Sequence, residues 1–416
     1  MGISDRKRFA NLSEQERYEE MCVKMGNAPV YNNNVGQAIG TAPQGPAAPV
    51  MNVPVINQTS SSDNKCPSCG ATLTFDPKTG GLVCNFCGNT VQLNSAPAEP
   101  GTGYTFDDFI NNSAHRLTDS SIKLIVCGTC GGHFTADQRS ISGLCPFCGS
   151  NSITVSNNDM GLLEPTGVIP FQVDKERAQR IFQEWISKRR FAPTDLIKNA
   201  RATDLVGVYV PYWVFDCDTR ADYKGRFGRT YGSGDDRHTV YHKGSGHCDL
   251  PVKNLTLVAS SRLEKDAFWK SISVFNFDYM KKYDPNLLAG FWSESYSVDG
   301  QTAWQNAGGK IYGMVRNRIM KMETADCVDW IEMQPEAYNI RAKYVLAPVW
   351  VTSFKYNNAI YQVILNGQTG VVAGTWPKSL KRLFTIIGIV AGGLFASRVI
   401  FLLLSWLIEF LRGMGG

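Results

Sequence analysis

Eight of the twelve cysteines stand in four Cys-x-x-Cys pairs, and no other set of residues in the chain makes so definite a chemical statement. The pairs are Cys66 and Cys69, Cys84 and Cys87, Cys127 and Cys130, and Cys145 and Cys148. Fourteen residues separate the first pair from the second and the third from the fourth. Two thiolates three apart on a tight turn take adjacent corners of a tetrahedron, and two such turns close it around one metal ion. A glycine follows the second cysteine of every pair, which lets the backbone curl until its N–H groups face the sulfurs. The expected chemistry is structural binding of Zn²⁺ at two four-cysteine sites, with iron in a rubredoxin-like site as the alternative. A redox role would need one exposed pair beside a βαβ pattern, and structural disulfides are disfavoured in the cytosol. Four thiolates leave no position for water, so such sites hold a fold and do not catalyse. Gly70, Thr74, Asp76, Phe86 and Gly88 recur in register as Gly131, Thr135, Asp137, Phe147 and Gly149, which marks an internal duplication.

The 42 Lys and Arg against 37 Asp and Glu give a formal net charge of +5. Each zinc-loaded four-thiolate site carries −2, which brings the chain to about +1. The ribbons themselves become acidic, without the clustered cations that phosphate contacts need. Nucleic acid is therefore not an expected partner, and Lys188, Arg189, Arg190, Lys198 and Arg201 form the one candidate basic patch. His238, His242, His247 and Cys248 lie in a strand-and-turn pattern, where residues four apart are about 13 Å from each other and do not chelate one ion together. Cys22, Cys217 and Cys327 read as reduced thiols. No GxSxG, Walker loop or HExxH occurs, so no catalytic residue is assigned and no enzyme is expected.

The elements that must position these groups follow from patterning. Residues 1–26 form an N-terminal helical segment, opened by a capping box at Ser13 and Glu16. Residues 27–64 are rich in Asn, Gln, Pro, Gly, Ala and Ser and read as a disordered linker. Zinc ribbons are expected over 65–95 and 120–155, and an α+β domain over 165–376. A fainter duplication runs through that domain: Phe171 to Ala178 has the shape of Tyr296 to Ala303, and Pro211-Tyr-Trp213-Val214 that of Pro348-Val-Trp350-Val351. Two related halves would explain it, and chance similarity of two strands is the alternative. Residues 383–408 carry a single charge, Arg398, and as one helix are long enough to span a bilayer core of about 30 Å. Lys378, Lys381 and Arg382 on its N-terminal flank place the preceding domains in the cytoplasm. Gly388, Gly392 and Ala396 form a small-xxx-small face for a helix contact, including one with a second copy, and Arg398 lies half a turn beyond.

The fold class expected is multidomain: two small β zinc ribbons, an α+β domain with antiparallel sheets and one C-terminal transmembrane helix at the plasma (inner) membrane. With the cysteines, Gly207 to Asp216, Asn366 to Gly370 and the terminal span in view, residues 60 to 410 resemble the bacterial TFIIB-type zinc-ribbon membrane proteins. The resemblance implies an adaptor that works with SPFH-type and phage-shock-type membrane-stress proteins. Names in that group that suggest a replisome organiser or a primosomal helicase find no helicase motif here. The function expected is a membrane-anchored, cytosol-facing scaffold that docks other proteins, with a membrane-tethered nucleic-acid-binding protein as the rival reading.

Overall fold

From Val206 to Phe215 the sequence is apolar at almost every position, and from Asp216 onward it alternates. Asp216, Asp218, Arg220, Asp222, Lys224 and Arg226 face one way, and Cys217, Thr219, Ala221, Tyr223 and Phe227 the other. The first pattern belongs to a strand covered on both faces and the second to one covered on a single face. The computed structural model unites both in one strand, Val206–Tyr231, buried throughout its first half and alternately buried and exposed in its second. The structure describes residues 65–98, 103–110, 122–137, 145–156, 163–189, 192–193, 205–264, 269–356, 359–379, 388–389, 392–401 and 404. The N-terminal segment 1–26 and the linker 27–64 lie outside the described residues.

In chain order the described strands are β1 (Leu73–Asp76), β2 (Gly81–Cys84), β3 (Thr90–Val91), β4 (Tyr104–Thr105), β5 (Ile122–Cys127), β6 (His133–Asp137), β7 (Ile153–Ser156) and β8 (Gly167–Val168). They continue as β9 (Val206–Tyr231), β10 (His238–Val258), β11 (Lys281–Lys282), β12 (Trp292–Glu294), β13 (Cys327–Met333), β14 (Glu336–Tyr356), β15 (Ala359–Asn366) and β16 (Val372–Gly374). The helices are α1 (Phe106–Ile110), α2 (Lys175–Ser187), α3 (Ser261–Glu264), α4 (Trp269–Ile272) and α5 (Gly300–Met322). Strands β1 to β3 form a small sheet of their own, and the other thirteen form one mixed sheet.

The antiparallel pair β9 and β14 is the spine of that sheet, with Val210 opposite Ala347. Each strand carries a proline where its outer neighbour changes: from β12 to β10 beside Pro211, and from β8 to β15 beside Pro348. A missing N–H is harmless at such a hand-over. The surroundings repeat bond for bond. Ala259 N donates to Pro211 O at 2.9 Å and Gly367 N to Pro348 O at 2.8 Å. Ala259 O accepts the N–H groups of Ser297 and Val298, as Gly367 O accepts those of Gln172 and Val173. Trp213 Nε1 donates to Val298 O and Trp350 Nε1 to Val173 O, both at 2.8 Å. Each tryptophan thus ties its strand to the residue before a helix cap. Asp299 caps α5 through Thr302 N, and Asp174 caps α2 through Arg177 N, both at 2.8 Å.

Both helices cover the same face of the sheet. Ala178 and Phe182 of α2, and Ala303, Ala307, Ile311, Val315 and Ile319 of α5, pack with Tyr209, Trp213, Tyr344 and Trp350. The first ribbon joins this layer through Leu73, Phe75, Leu82 and Val91. On the opposite face Val208, Val210, Tyr212, Val345, Val349 and Val351 meet Leu263 of α3, Trp269 and Ile272 of α4, and Phe134 and Phe147 of the second ribbon. The two ribbons therefore sit on opposite faces of one sheet.

This architecture corrects the expected fold class. The protein is mostly β, built around one large mixed sheet with few helices, rather than an α+β domain with antiparallel sheets. Parallel pairs occur where β12 meets β9 and β8 meets β14. The second ribbon is no separate module, because β6 satisfies its free edge by pairing with β12 and so carries β5 and β7 into the main sheet. The expected transmembrane helix is also corrected: among the described residues no helix is long and apolar enough to cross a membrane. The plasma-membrane location inferred from that span is set aside with it. Residues 383–387, 390–391, 402–403 and 405–408 lie outside the described residues.

Candidate metal centres

The same local geometry builds both cysteine sets. In the first ribbon Gly70 N donates to Cys66 O and Gly88 N to Cys84 O, and in the second Gly131 N to Cys127 O and Gly149 N to Cys145 O, all at 2.8–2.9 Å. The four glycines take φ of 72°, 75°, 69° and 69°, the left-handed region where a side chain would be strained. Each turn carries its two thiols inward, and within each set every sulfur lies within 4.8 Å of the others. Cys66 and Cys87 are 3.4 Å apart and Cys69 and Cys84 3.5 Å, and the matching pairs of the second set are both 3.7 Å apart. A tetrahedron with metal–sulfur bonds of about 2.3 Å has edges of about 3.8 Å. Both sets therefore fit one tetrahedral ion each, as structural metal sites.

Before a metal enters, the thiols of each set share their protons unequally. Desolvation opposes ionisation of Cys66, but the N–H groups of Ser68 and Cys69 hold its thiol down to about 6. In the second set the hydrogen bond with Cys145 brings Cys130 down to about 5, while burial pushes Cys148 up to about 11.

The surroundings of the two sets differ. Cys69 and Cys87 are exposed, whereas Cys130 and Cys148 are half-covered. The first ribbon is held from its far side, where Phe75 N donates to Ala289 O at 2.9 Å and the Phe75 ring meets Phe291 edge-on at 6.5 Å. Lys78 also bonds Glu176 at 2.8 Å and holds that carboxyl down to about 2. An exposed pair of this kind contributes only about 0–1 kcal/mol, so the apolar seat of Phe75 sets the orientation. The second ribbon is gripped at its tip. Phe147 packs on Phe134 at 5.3 Å, the Arg262 guanidinium lies 3.5 Å over the Phe147 ring, and Gln362 Nε2 donates to Phe147 O at 3.0 Å. Arg262 reaches Glu294 at 3.7 Å, and Ser260 Oγ donates to Glu294 Oε1 at 2.7 Å. Burial pushes the Glu294 carboxyl up to about 7 against the pull of Arg262. Adjacent residues of one short segment serve both ribbons, since Phe291 faces Phe75 of the first and Trp292 faces Phe134 of the second.

The sequence carries no signal for Ser260, Arg262 and Glu294, because thirty-odd residues separate the serine from the glutamate and no motif links them. The other residues singled out in the sequence are not assembled into a site. Gly388, Gly392, Ala396 and Arg398 are helical and exposed, and nothing lies within 4 Å of a side chain built on either glycine. His242 bonds Glu323 at 3.1 Å, and His247 lies between Asp222 and Asp249 at 2.8 and 3.1 Å. Of the basic run, Lys188 bonds Glu184, and Arg189 lies between the rings of Trp185 and Trp376 at 4.3 and 4.6 Å. Arg190, Lys198 and Arg201 lie outside the described residues, as does Cys22.

The chain is similar to the uncharacterized protein YdjG of Bacillus subtilis (strain 168), with 28% identity over 335 residues, 80% of this chain and 94% of that protein. No family model matches the chain, and no solved structure matches it.

Proposed function

We propose that the protein is a non-enzymatic docking scaffold in which two zinc-tied ribbons are held on opposite faces of one rigid sheet. The observation that carries this reading is the closed geometry of both cysteine sets. In each, four sulfurs lie within 4.8 Å of one another, so a Zn²⁺ held by all four would have no place for water or substrate. Cys66, Cys69, Cys84 and Cys87 would hold one ion, and Cys127, Cys130, Cys145 and Cys148 the other. Each ion would supply cross-linking of its ribbon, which lets a module of about thirty residues stay folded without a large core. The partners are proteins, and the resemblance of the sequence to zinc-ribbon adaptors makes SPFH-type and phage-shock-type proteins the first to try.

The test is purification of the full-length protein after nuclease treatment, with metal analysis and mass spectrometry on one sample. About two zinc per chain and a stoichiometric protein partner that survives a change from 50 to 200 mM salt support the scaffold. A nucleic acid that leaves steeply over the same salt range, with no protein companion, refutes it.

A further inference from the structure

Phe86 and Phe147 hold the same place in the two ribbons, yet Phe147 is 1% exposed and Phe86 is 83% exposed. The backbone around them is alike. Cys84 N donates to Asn89 O and Cys145 N to Ser150 O, both at 2.8 Å. What differs is the surface opposite the ring. Phe147 lies between Phe134 and the Arg262 guanidinium, with Gln362 on its carbonyl. Phe86 has no ring or cation partner among the described residues, and its neighbours Asn85, Cys87, Gly88, Pro67, Ser68 and Cys69 are exposed as well. The fold of the first ribbon makes no use of this ring, since its attachment runs through Phe75 on the other side. An isolated exposed residue calls for no explanation, but a duplicate whose counterpart is fully engaged does.

We infer that the tip of the first ribbon, centred on Phe86, is a docking surface for a partner protein that presents an arginine over an apolar pocket. This rests on the scaffold reading above and names the surface and the chemistry of its partner. The second ribbon supplies the template. Its phenylalanine enters an aromatic seat, a planar guanidinium covers the ring face, and a side-chain amide donates to the phenylalanine carbonyl. Charge points the same way. A four-thiolate site loaded with Zn²⁺ would carry −2, and Cys69 and Cys87 are exposed at the same tip as Phe86, so a partner guanidinium would meet complementary charge there. Asn85, whose Nδ2 donates to Thr74 Oγ1 at 3.3 Å, stands where the second ribbon has the buried Pro146.

The test places the photo-crosslinking residue p-benzoylphenylalanine at position 86 of the full-length protein in its own cells and maps the product by mass spectrometry. The mapped partner is then purified and titrated against the zinc-loaded wild type, Phe86→Ala and Phe86→Leu, and the arginine nearest the crosslink is changed to alanine. The expected result is one discrete protein product beside an arginine. Phe86→Ala should weaken binding at least tenfold, about 1.4 kcal/mol, and Phe86→Leu, which has no ring face, less. The partner's Arg→Ala should lose little further when combined with Phe86→Ala. Metal content unchanged from wild type shows that the ribbon remains folded. A crosslink to a second copy, to nucleic acid or to a site without arginine overturns the inference, as does unchanged affinity of Phe86→Ala. In the last case a wild-type protein that still holds its stoichiometric partner keeps the scaffold reading alive, whereas a wild type that holds none sinks both.

Discussion

Alanine at two duplicated positions should have opposite consequences. Phe147→Ala removes a fully buried ring from a seat made by Phe134 and Arg262. Deleting a buried phenylalanine costs about 3–5 kcal/mol, and loss of the ring under the guanidinium adds roughly 0.5–2 kcal/mol. It also uncovers the buried Glu294–Arg262 pair, so the cavity does not close without exposing charge. Phe86→Ala removes the corresponding ring from solvent, where substitutions stay within about 0.5 kcal/mol. The assay is thermal unfolding of the zinc-loaded protein followed by near-ultraviolet circular dichroism, at matched scan rates in case unfolding is irreversible. The expected midpoint falls by roughly 6–15 °C for Phe147→Ala and by about 1 °C or less for Phe86→Ala. Equal shifts for the two variants, or a loss below about 1 kcal/mol for Phe147→Ala, would refute the claim that the same motif is seated in one ribbon and free in the other.

Cys69→Ser and Cys130→Ser should each lower metal content to about one ion per chain. Only Cys130→Ser should destabilise the main sheet, because β5, β6 and β7 belong to it while β1, β2 and β3 do not, and metal analysis with thermal unfolding separates the two. Glu294 keeps its proton in the folded protein up to about 7, against 4.5 for an ordinary glutamate, so wild-type stability falls as pH rises between those values. Relative to wild type, Glu294→Gln should therefore gain on the order of 3 kcal/mol from pH 4.5 to 7.5, read by denaturant titration across that range. Trp213→Phe and Trp350→Phe should cost about the same, roughly 1–3 kcal/mol each, since each removes one indole donor from a carbonyl before a helix cap. In α5, Gly300→Ala should destabilise by about 1–3 kcal/mol, because its Cβ would fall 1.7 Å from the Phe109 ring. Gly309→Ala, with nothing within 4 Å, should instead stabilise by about 0.5–1 kcal/mol in the same unfolding assay.

The cysteine clusters were legible in the sequence because their information is local. Cys-x-x-Cys followed by glycine specifies a turn and two converging thiols within five residues, and the repeat of that unit at matched spacing specifies two closed sites. Caps were legible for the same reason: Asp174 and Asp299 precede helical periodicity directly and do accept from the third residue on. For the terminal run 383–408 apolar content pointed to a span, whereas among the described residues no helix is long and apolar enough to cross a membrane.

The sequence by itself determined which residues can hold metal, that the metal module is duplicated, and that the strand Val206–Tyr231 changes from two covered faces to one. Tertiary structure decided how the modules are used. Edge pairing of β6 with β12 absorbed the second ribbon into the sheet, alternation at Phe291 and Trp292 sent the ribbons to opposite faces, and Arg262 met Phe147 across more than a hundred residues. Such contacts depend on which edge or ring is left free once the chain has folded around β9 and β14. Identical local motifs therefore end with one aromatic tip buried and the other in solvent.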